Sequence, residues 1–284
     1  TNKDGYVKSK EDNANFLDQQ LLNVNERFPE IHLSNLTSVT EVSFGNDYVM
    51  LLDGKRDVWL YGTNPFINWG PMDTQKITDT EFRKLDTSNN KNSVDITNVI
   101  SIAAGYNYAL ICAQGGKIYS FGGEMDVPVL GISQEGISFF NDITPTGIKF
   151  DKVYTNLIDL SAAKTYDNVP TIFSLAHSTS NSTSGSIYGW GKNVNGILGT
   201  NNKDKYIIEP VELSWLNNNN NNNNISNNIA IGYEYFIYKT NNKRYIVNDN
   251  GENEITISDK RNNISIQECY AHLYDYILSF NNSP

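Results

Sequence analysis

Ile187-Tyr188-Gly189-Trp190-Gly191-Lys192-Asn193-Val194-Asn195-Gly196-Ile197-Leu198-Gly199 is the stretch whose reading decides the fold. Its first half sets aromatic and aliphatic residues among glycines, as in a strand that a neighbouring backbone approaches closely. Its second half is a polar turn rich in Asn and Gly, closed by an apolar pair. Parts of this arrangement return along the chain. Val58-Trp59-Leu60-Tyr61-Gly62 and Ile118-Tyr119-Ser120-Phe121-Gly122 repeat the aromatic strand, and Leu130-Gly131 repeats the closing pair.

Upstream of each aromatic strand lies a second recurring pattern. Val39 to Phe44 and Val99 to Ala104 are apolar runs, each followed by a glycine, a polar pair and a tyrosine: Gly45-Asn46-Asp47-Tyr48 and Gly105-Tyr106-Asn107-Tyr108. Ile229-Ala230-Ile231-Gly232-Tyr233-Glu234-Tyr235 is a further copy, and Ile264 to Leu278 another, with Cys269-Tyr270-Ala271-His272 at its turn. Leu157 to Ala163 reads as the opening strand of the third unit, with Asp167 to Ser184 as a polar insertion behind it. Each unit is thus a strand, a tight turn, a returning strand, a Gly-containing turn such as Asp53-Gly54, and an aromatic strand. The residues between units leave room for a fourth strand, for instance Gly147 to Phe150 or Pro210 to Leu213. Four strands per unit, repeated radially, is how a β-propeller leaves only short, protected edges.

The units resemble the repeat of the regulator of chromosome condensation family, whose pattern is an apolar strand, Ala-x-Gly-x-x-His, a second apolar strand, Asp-Gly, an aromatic strand with Trp-Gly, and Asn-x-x-Gly-x-Leu-Gly. Residues 187–199 depart little from it. The family's histidine is Tyr48, Tyr108 and Tyr235 here, and only His272 keeps it. The resemblance implies an all-β fold of four-stranded antiparallel blades, about five in this chain, forming part of a ring of about seven. Residues 1–284 read as a single divergent propeller domain or fragment, with repeat cores near 38–70, 99–131, 157–199, 229–250 and 264–280. Asn217 to Asn224 is an unbroken asparagine run within a low-complexity loop at 217–228, and His177 to Ser184 reads as a second loop excursion.

Composition narrows the function. The 284 residues carry 39% hydrophobic and 12% aromatic side chains, enough for a substantial core. The net charge of −10, with 22 basic against 32 acidic residues, argues against nucleic acid, whose binding rests on phosphate neutralisation. No apolar run approaches the ~18 residues needed to insert in a membrane. Cys112 and Cys269 read as buried thiols rather than a disulfide framework.

The sequence offers no catalytic constellation and implies no cofactor. His32, His177 and His272 are scattered, without metal-ligand spacing to a cysteine or carboxylate. Gly185 to Gly191 sits in an aromatic strand, not between a strand and a helix as a phosphate loop would. Asp142, Asp151 and Asp159 read as solvated loop charges, and Trp59, Tyr61, Tyr119, Phe121, Tyr188 and Trp190 as contacts between blades.

The expected function is therefore a non-catalytic protein-interaction scaffold, not an enzyme, with a protein partner. Family arrangements imply, as one form, the substrate-recruiting module of a ubiquitin-ligase adaptor. The alternatives are a guanine-nucleotide exchange factor for a small GTPase and an assembly factor, including a mitochondrial one. An intracellular setting, cytoplasmic, nuclear or mitochondrial, goes with these readings. Partner contacts are expected at the turns between the first two strands of each unit: Asn46, Asp47, Tyr106, Asn107, Tyr233, Glu234 and Tyr270. Tyrosine supplies contact area at low entropy cost and asparagine adaptable hydrogen bonds.

Overall fold

The computed structural model describes residues 38–46, 48–62, 82–85, 96–124, 128–132, 136–155, 173–179, 185–193, 196–198, 206–217, 225–232, 235–240, 243–248 and 251–255. They form four sheets of four antiparallel strands, each in simple up-and-down order. The first blade is β1 (Val39–Phe44), β2 (Tyr48–Asp53), β3 (Val58–Gly62) and β4 (Arg83–Lys84). The second is β5 (Val99–Ala104), β6 (Tyr108–Ala113), β7 (Ile118–Glu124) and β8 (Gly136–Asp142). The third is β9 (Phe150–Thr155), β10 (Phe173–Ser178), β11 (Ser186–Lys192) and β12 (Tyr206–Glu212). The fourth is β13 (Ile229–Ile231), β14 (Phe236–Lys239), β15 (Arg244–Asn248) and β16 (Gly251–Glu254). First strands of successive blades lie side by side, β1 with β5, β5 with β9 and β9 with β13. They therefore face the propeller axis, and the fourth strands lie outermost.

The strands expected from the recurring units are present in the first, second and fourth blades, and the expected aromatic strand of the third is β11. The fifth core, near 264–280, lies outside the described residues. The third blade departs from expectation in two ways. Its first strand is β9, so Gly147 to Phe150 is the turn into that strand, and the fourth strand of the second blade is instead β8. The stretch Leu157 to Ala163 lies outside the described residues. The supposed polar insertion contains β10, buried along its whole length. Phe173, Leu175 and Ala176 supply its apolar content, and its polar side chains have partners. Ser174 Oγ lies 3.0 Å from the Tyr108 hydroxyl, and Ser178 Oγ donates to the Lys149 carbonyl. A strand whose polar atoms are satisfied by its neighbours can be buried despite its composition.

The core lies in the seams between blades. In β6, Tyr108, Leu110 and Cys112 belong to the cluster shared with the third and fourth blades, whereas Ala109, Ile111 and Ala113 belong to the cluster shared with the first. Successive strand residues point to opposite faces, so a strand sandwiched between two blades must be apolar, or have its polar atoms satisfied, at every position. The first blade shows the converse: Val42 and Phe44, which correspond to the buried Ile102 and Ala104, are 46% and 55% exposed.

Two packing devices repeat. Gly45, Gly105 and Gly232 each donate a backbone N–H to the carbonyl of the tyrosine three residues on, at 2.8–2.9 Å. That tyrosine ring lies over the glycine: an added β-carbon would meet the Tyr48, Tyr108 or Tyr235 ring at 1.8, 2.3 and 2.3 Å. The glycine is thus required for space. The second device is the motif at 187–199. Trp190 is fully buried and its Nε1–H donates to the Val129 carbonyl across the seam at 2.9 Å. Asn193 Oδ1 accepts the Leu198 N–H at 3.0 Å, while Gly196 takes the left-handed conformation at φ 70° that the turn demands.

Removing the indole should leave both a cavity and an orphaned carbonyl, so Trp190→Ala should lower unfolding free energy by about 3–5 kcal/mol. Urea denaturation of the full chain reads this directly, and a loss below about 1 kcal/mol would contradict the seam role. Gly105→Ala should destabilise by about 1–3 kcal/mol through displacement of the Tyr108 ring. An unchanged melting temperature would show that the ring has another place to go.

Candidate functional site

In an up-and-down blade the β1–β2, β5–β6 and β13–β14 turns all emerge at one end of the propeller. The Gly–Tyr devices hold these turns, and the tyrosines also tie each blade to the next. The Tyr48 hydroxyl donates toward the Gly105 and Tyr108 carbonyls, at 3.0 and 2.5 Å. The Tyr108 hydroxyl in turn meets Ser174 on the third blade. Burial pushes both phenols well above their ordinary pKa, so each stays a protonated donor at neutral pH. Phe173, paired with Gly191 as Tyr48 is with Gly62 and Tyr108 with Gly122, takes the tyrosine position in the third blade.

Of the expected contact residues, Asn46 and Tyr106 are half-buried and adjacent, with the Asn46 N–H donating to the Tyr106 carbonyl at 3.3 Å. Two turns from neighbouring blades thus form one continuous ledge. Asn107 is only 3% exposed, and its carbonyl accepts the Gly123 N–H at 2.8 Å. Its side chain belongs to the support of the ledge rather than to its surface. Asp47, Tyr233, Glu234 and Tyr270 lie outside the described residues.

Several polar groups that sequence spacing left scattered come together at the inner strands. Glu41 accepts the Ile102 N–H at 3.0 Å and pairs with Lys152 at 3.2 Å, and Ser43 Oγ accepts the Ala104 N–H. On the junction of the third and fourth blades, His177 Nδ1 lies 2.5 Å from the Asp151 carboxylate and Nε2 lies 3.0 Å from the Ile225 carbonyl. Asp151 also accepts from the Asn227 amide. Asp151 is therefore a strand residue with a buried partner, not a solvated loop charge. Asp142 ends β8 and pairs with Lys117 at 2.6 Å. Asp151 and His177 lie far apart in the chain, and only the pairing of β9 with β10 brings Lys152 opposite His177 and Asp151 beside it. Gly185 is the local signal for this junction, since a β-carbon there would lie 2.1 Å from His177 Nε2.

These groups join strands and blades. His177 is almost wholly buried and both its ring nitrogens face acceptors. Cys112 is buried, and burial, with the charges of Asp151 and Glu41, pushes its thiol up and away from the reactive thiolate. Among the described residues no group of three His, Cys, Asp or Glu side chains is placed to hold a metal. The aromatic residues Tyr61, Tyr119, Phe121, Tyr188 and Trp190 are buried, and Trp59 donates its indole N–H to Asp53.

The model of the regulator of chromosome condensation (RCC1) repeat matches residues 184–236. No curated protein matches the chain in sequence. Among solved structures, human WBSCR16 superposes with a TM-score of 0.55 at 14% identity, over 77% of this chain and 52% of that one. Yeast RCC1 (Prp20) bound to Kap60 gives 0.53 at 17% identity, over 78% and 44%. Prp20p from Saccharomyces cerevisiae, described with its binding properties to Gsp1p and histones, gives 0.52 at 13% identity, over 78% and 51%. The chain spans about half the length of these proteins, and at such identities the likeness is one of fold. With that repeat matched in sequence over residues 184–236 and the blades matched in space, the chain has the β-propeller fold of these structures and carries a stretch similar to the regulator of chromosome condensation repeat.

Proposed function

We propose that this propeller is a non-catalytic protein-binding module that engages its partner through the ledge of Gly–Tyr turns. The observation that carries this reading is the hydrogen bond between Asn46 and Tyr106 across two blades, on turns already held by the buried Tyr48 and Tyr108. A surface fixed in this way loses little conformational entropy on binding, which favours affinity for a folded partner. The titratable groups of the inner strands are meanwhile occupied in the seams. Within this reading, Asp47, Tyr233, Glu234 and Tyr270, which the sequence puts at the corresponding turns, are further partner contacts. Residues 1–284 act as one propeller unit, recruiting a protein to a larger assembly such as a ubiquitin ligase.

A second reading is supported by a specific comparison. A yeast protein of the same fold is described by its binding to Gsp1p, and the family resemblance implies guanine-nucleotide exchange on a small GTPase. The two readings use the same kind of surface and differ in what happens to the partner.

Asn46→Ala with Tyr106→Ala should abolish capture of the cognate partner in a pull-down while leaving the thermal unfolding midpoint of the chain within a few degrees. Release of labelled GDP from a panel of small GTPases should be no faster with the chain than without it. Accelerated release that disappears in the double variant would replace the scaffold by the exchange factor. Capture that survives the double variant would move the contact away from this ledge.

A further inference from the structure

At the opposite end of the blades, the β2–β3 turn of the first blade meets the chain entering the second. A cavity of about 390 Å³ opens there, walled by Lys55, Arg56, Asp57, Lys84, Ile96 and Asn98. A second, of about 300 Å³, adjoins it and is lined by Thr40, Leu52, Val99 and Ile100, again with Arg56. Arg56 and Val99 line both, so the two cavities form one cleft with a cationic half and a largely apolar half. Lys84 pairs with Asp57 at 2.8 Å. Asp53 is buried and turned to its own loop, accepting the backbone N–H groups of Lys55 and Asp57 and the Trp59 indole. Among the described residues, the Lys55 and Arg56 side chains take part in no ion pair. Three cations thus line one small cleft in a chain whose net charge is −10.

The backbone of this cleft is unusual in a way that the next blade makes legible. Arg56 donates its N–H to Asp53 and accepts from Val99, and Gly116 donates to Ala113 and accepts from Phe150. The two residues therefore hold the same place in successive blades. Gly116 has φ 88°, natural for glycine, but Arg56 holds φ 68° with a full side chain. In the second blade a β-carbon on residue 116 would lie 2.5 Å from Lys149. In the first, the residue corresponding to Lys149 is Asn98, which itself takes φ 53°. The positive-φ non-glycine residues Arg56 and Asn98 thus face each other across the cleft. Strained backbone of this kind persists where the surroundings over-determine it, and it concentrates at binding sites. Here its effect is to admit an arginine where the second blade has room only for glycine.

We propose that this cleft is a docking groove for an extended peptide segment of a partner protein in which acidic and apolar residues adjoin. The guanidinium of Arg56 receives a carboxylate, for which its planar fork of donors is suited, with Lys55 beside it. The Leu52, Val99 and Ile100 wall receives the neighbouring apolar side chain. Two joined cavities suit a short stretch of chain better than a lone ion. The groove lies at the end of the blades away from the Gly–Tyr ledge, so it stands or falls independently of the ledge.

The test is fluorescence anisotropy with the full chain and three labelled probes: a peptide of alternating Asp and Leu, its Lys–Leu counterpart, and a single-stranded oligonucleotide. The Asp–Leu peptide should bind saturably and more weakly as salt rises from about 50 to about 300 mM, because the contact is charged and exposed. Arg56→Gly should keep the fold, since glycine is what the next blade uses there, and should weaken the peptide about tenfold or more. Circular dichroism melting of the variant separates lost docking from lost structure, and Lys55→Ala provides a second variant at an exposed position. Absence of saturable binding, equal binding of the Lys–Leu peptide, or indifference to both variants would overturn the proposal. An oligonucleotide that binds as well as the peptide and is lost with Arg56→Gly would also overturn it, in favour of nucleic acid.

Discussion

The inner strands of the second blade serve two cores at once. The alternation of side chains along β6 sends Tyr108, Leu110 and Cys112 into one seam and Ala109, Ile111 and Ala113 into the next. Neither seam can form from one blade, because each needs the facing sheet to cover it. Radial order follows from this constraint rather than from any single contact. In β6 the two seams are filled differently, by Tyr108, Leu110 and Cys112 on one face and by Ile111 between two alanines on the other.

Such seams bury backbone and polar atoms along with apolar ones, and every buried polar group needs a partner. The solution in this chain is to make the partners cross the seam. Tyr48 reaches the carbonyls of the second blade, Tyr108 reaches Ser174 of the third, Trp190 reaches Val129, and Glu41 and Ser43 accept N–H groups of β5. Each bond adds alignment to hydrophobic contact that is otherwise non-directional. The same economy removes His177, Asp151 and Cys112 from chemistry, since their environments hold them as joints. At the two ends of the blades the turns emerge, and at one of them the first blade carries an arginine where the second has a glycine.

Those ends differ in character. The Gly–Tyr device recurs in the first, second and fourth blades, so its shape is a property of the repeat. The cleft at Arg56 lies where the first blade meets the second, and its cations stand out against an acidic chain. A repeat protein gains specificity at places where one unit departs from the others, because only there is one position around the ring distinguishable from the next.

Strand-forming runs, glycine turns and the buried aromatic positions were legible in the sequence, because they depend on neighbours within a few residues or on a repeat that shows itself by recurrence. Gly45, Gly105 and Gly232 could be aligned by eye, as could Trp190 with its Asn193 turn. The strand Phe173–Ser178 was not legible, since its serines and histidine look like loop residues until β9, β11 and Tyr108 supply their partners. Nor was the junction of Asp151 with His177, nor the burial of Asn107, nor the meeting of Arg56 and Asn98 in the lining of one cleft. Local chemistry and periodicity settle which segments become strands and which face of each is apolar. Only the tertiary structure decides which polar groups meet, because those meetings are between blades, and no spacing within one unit encodes the distance to the next.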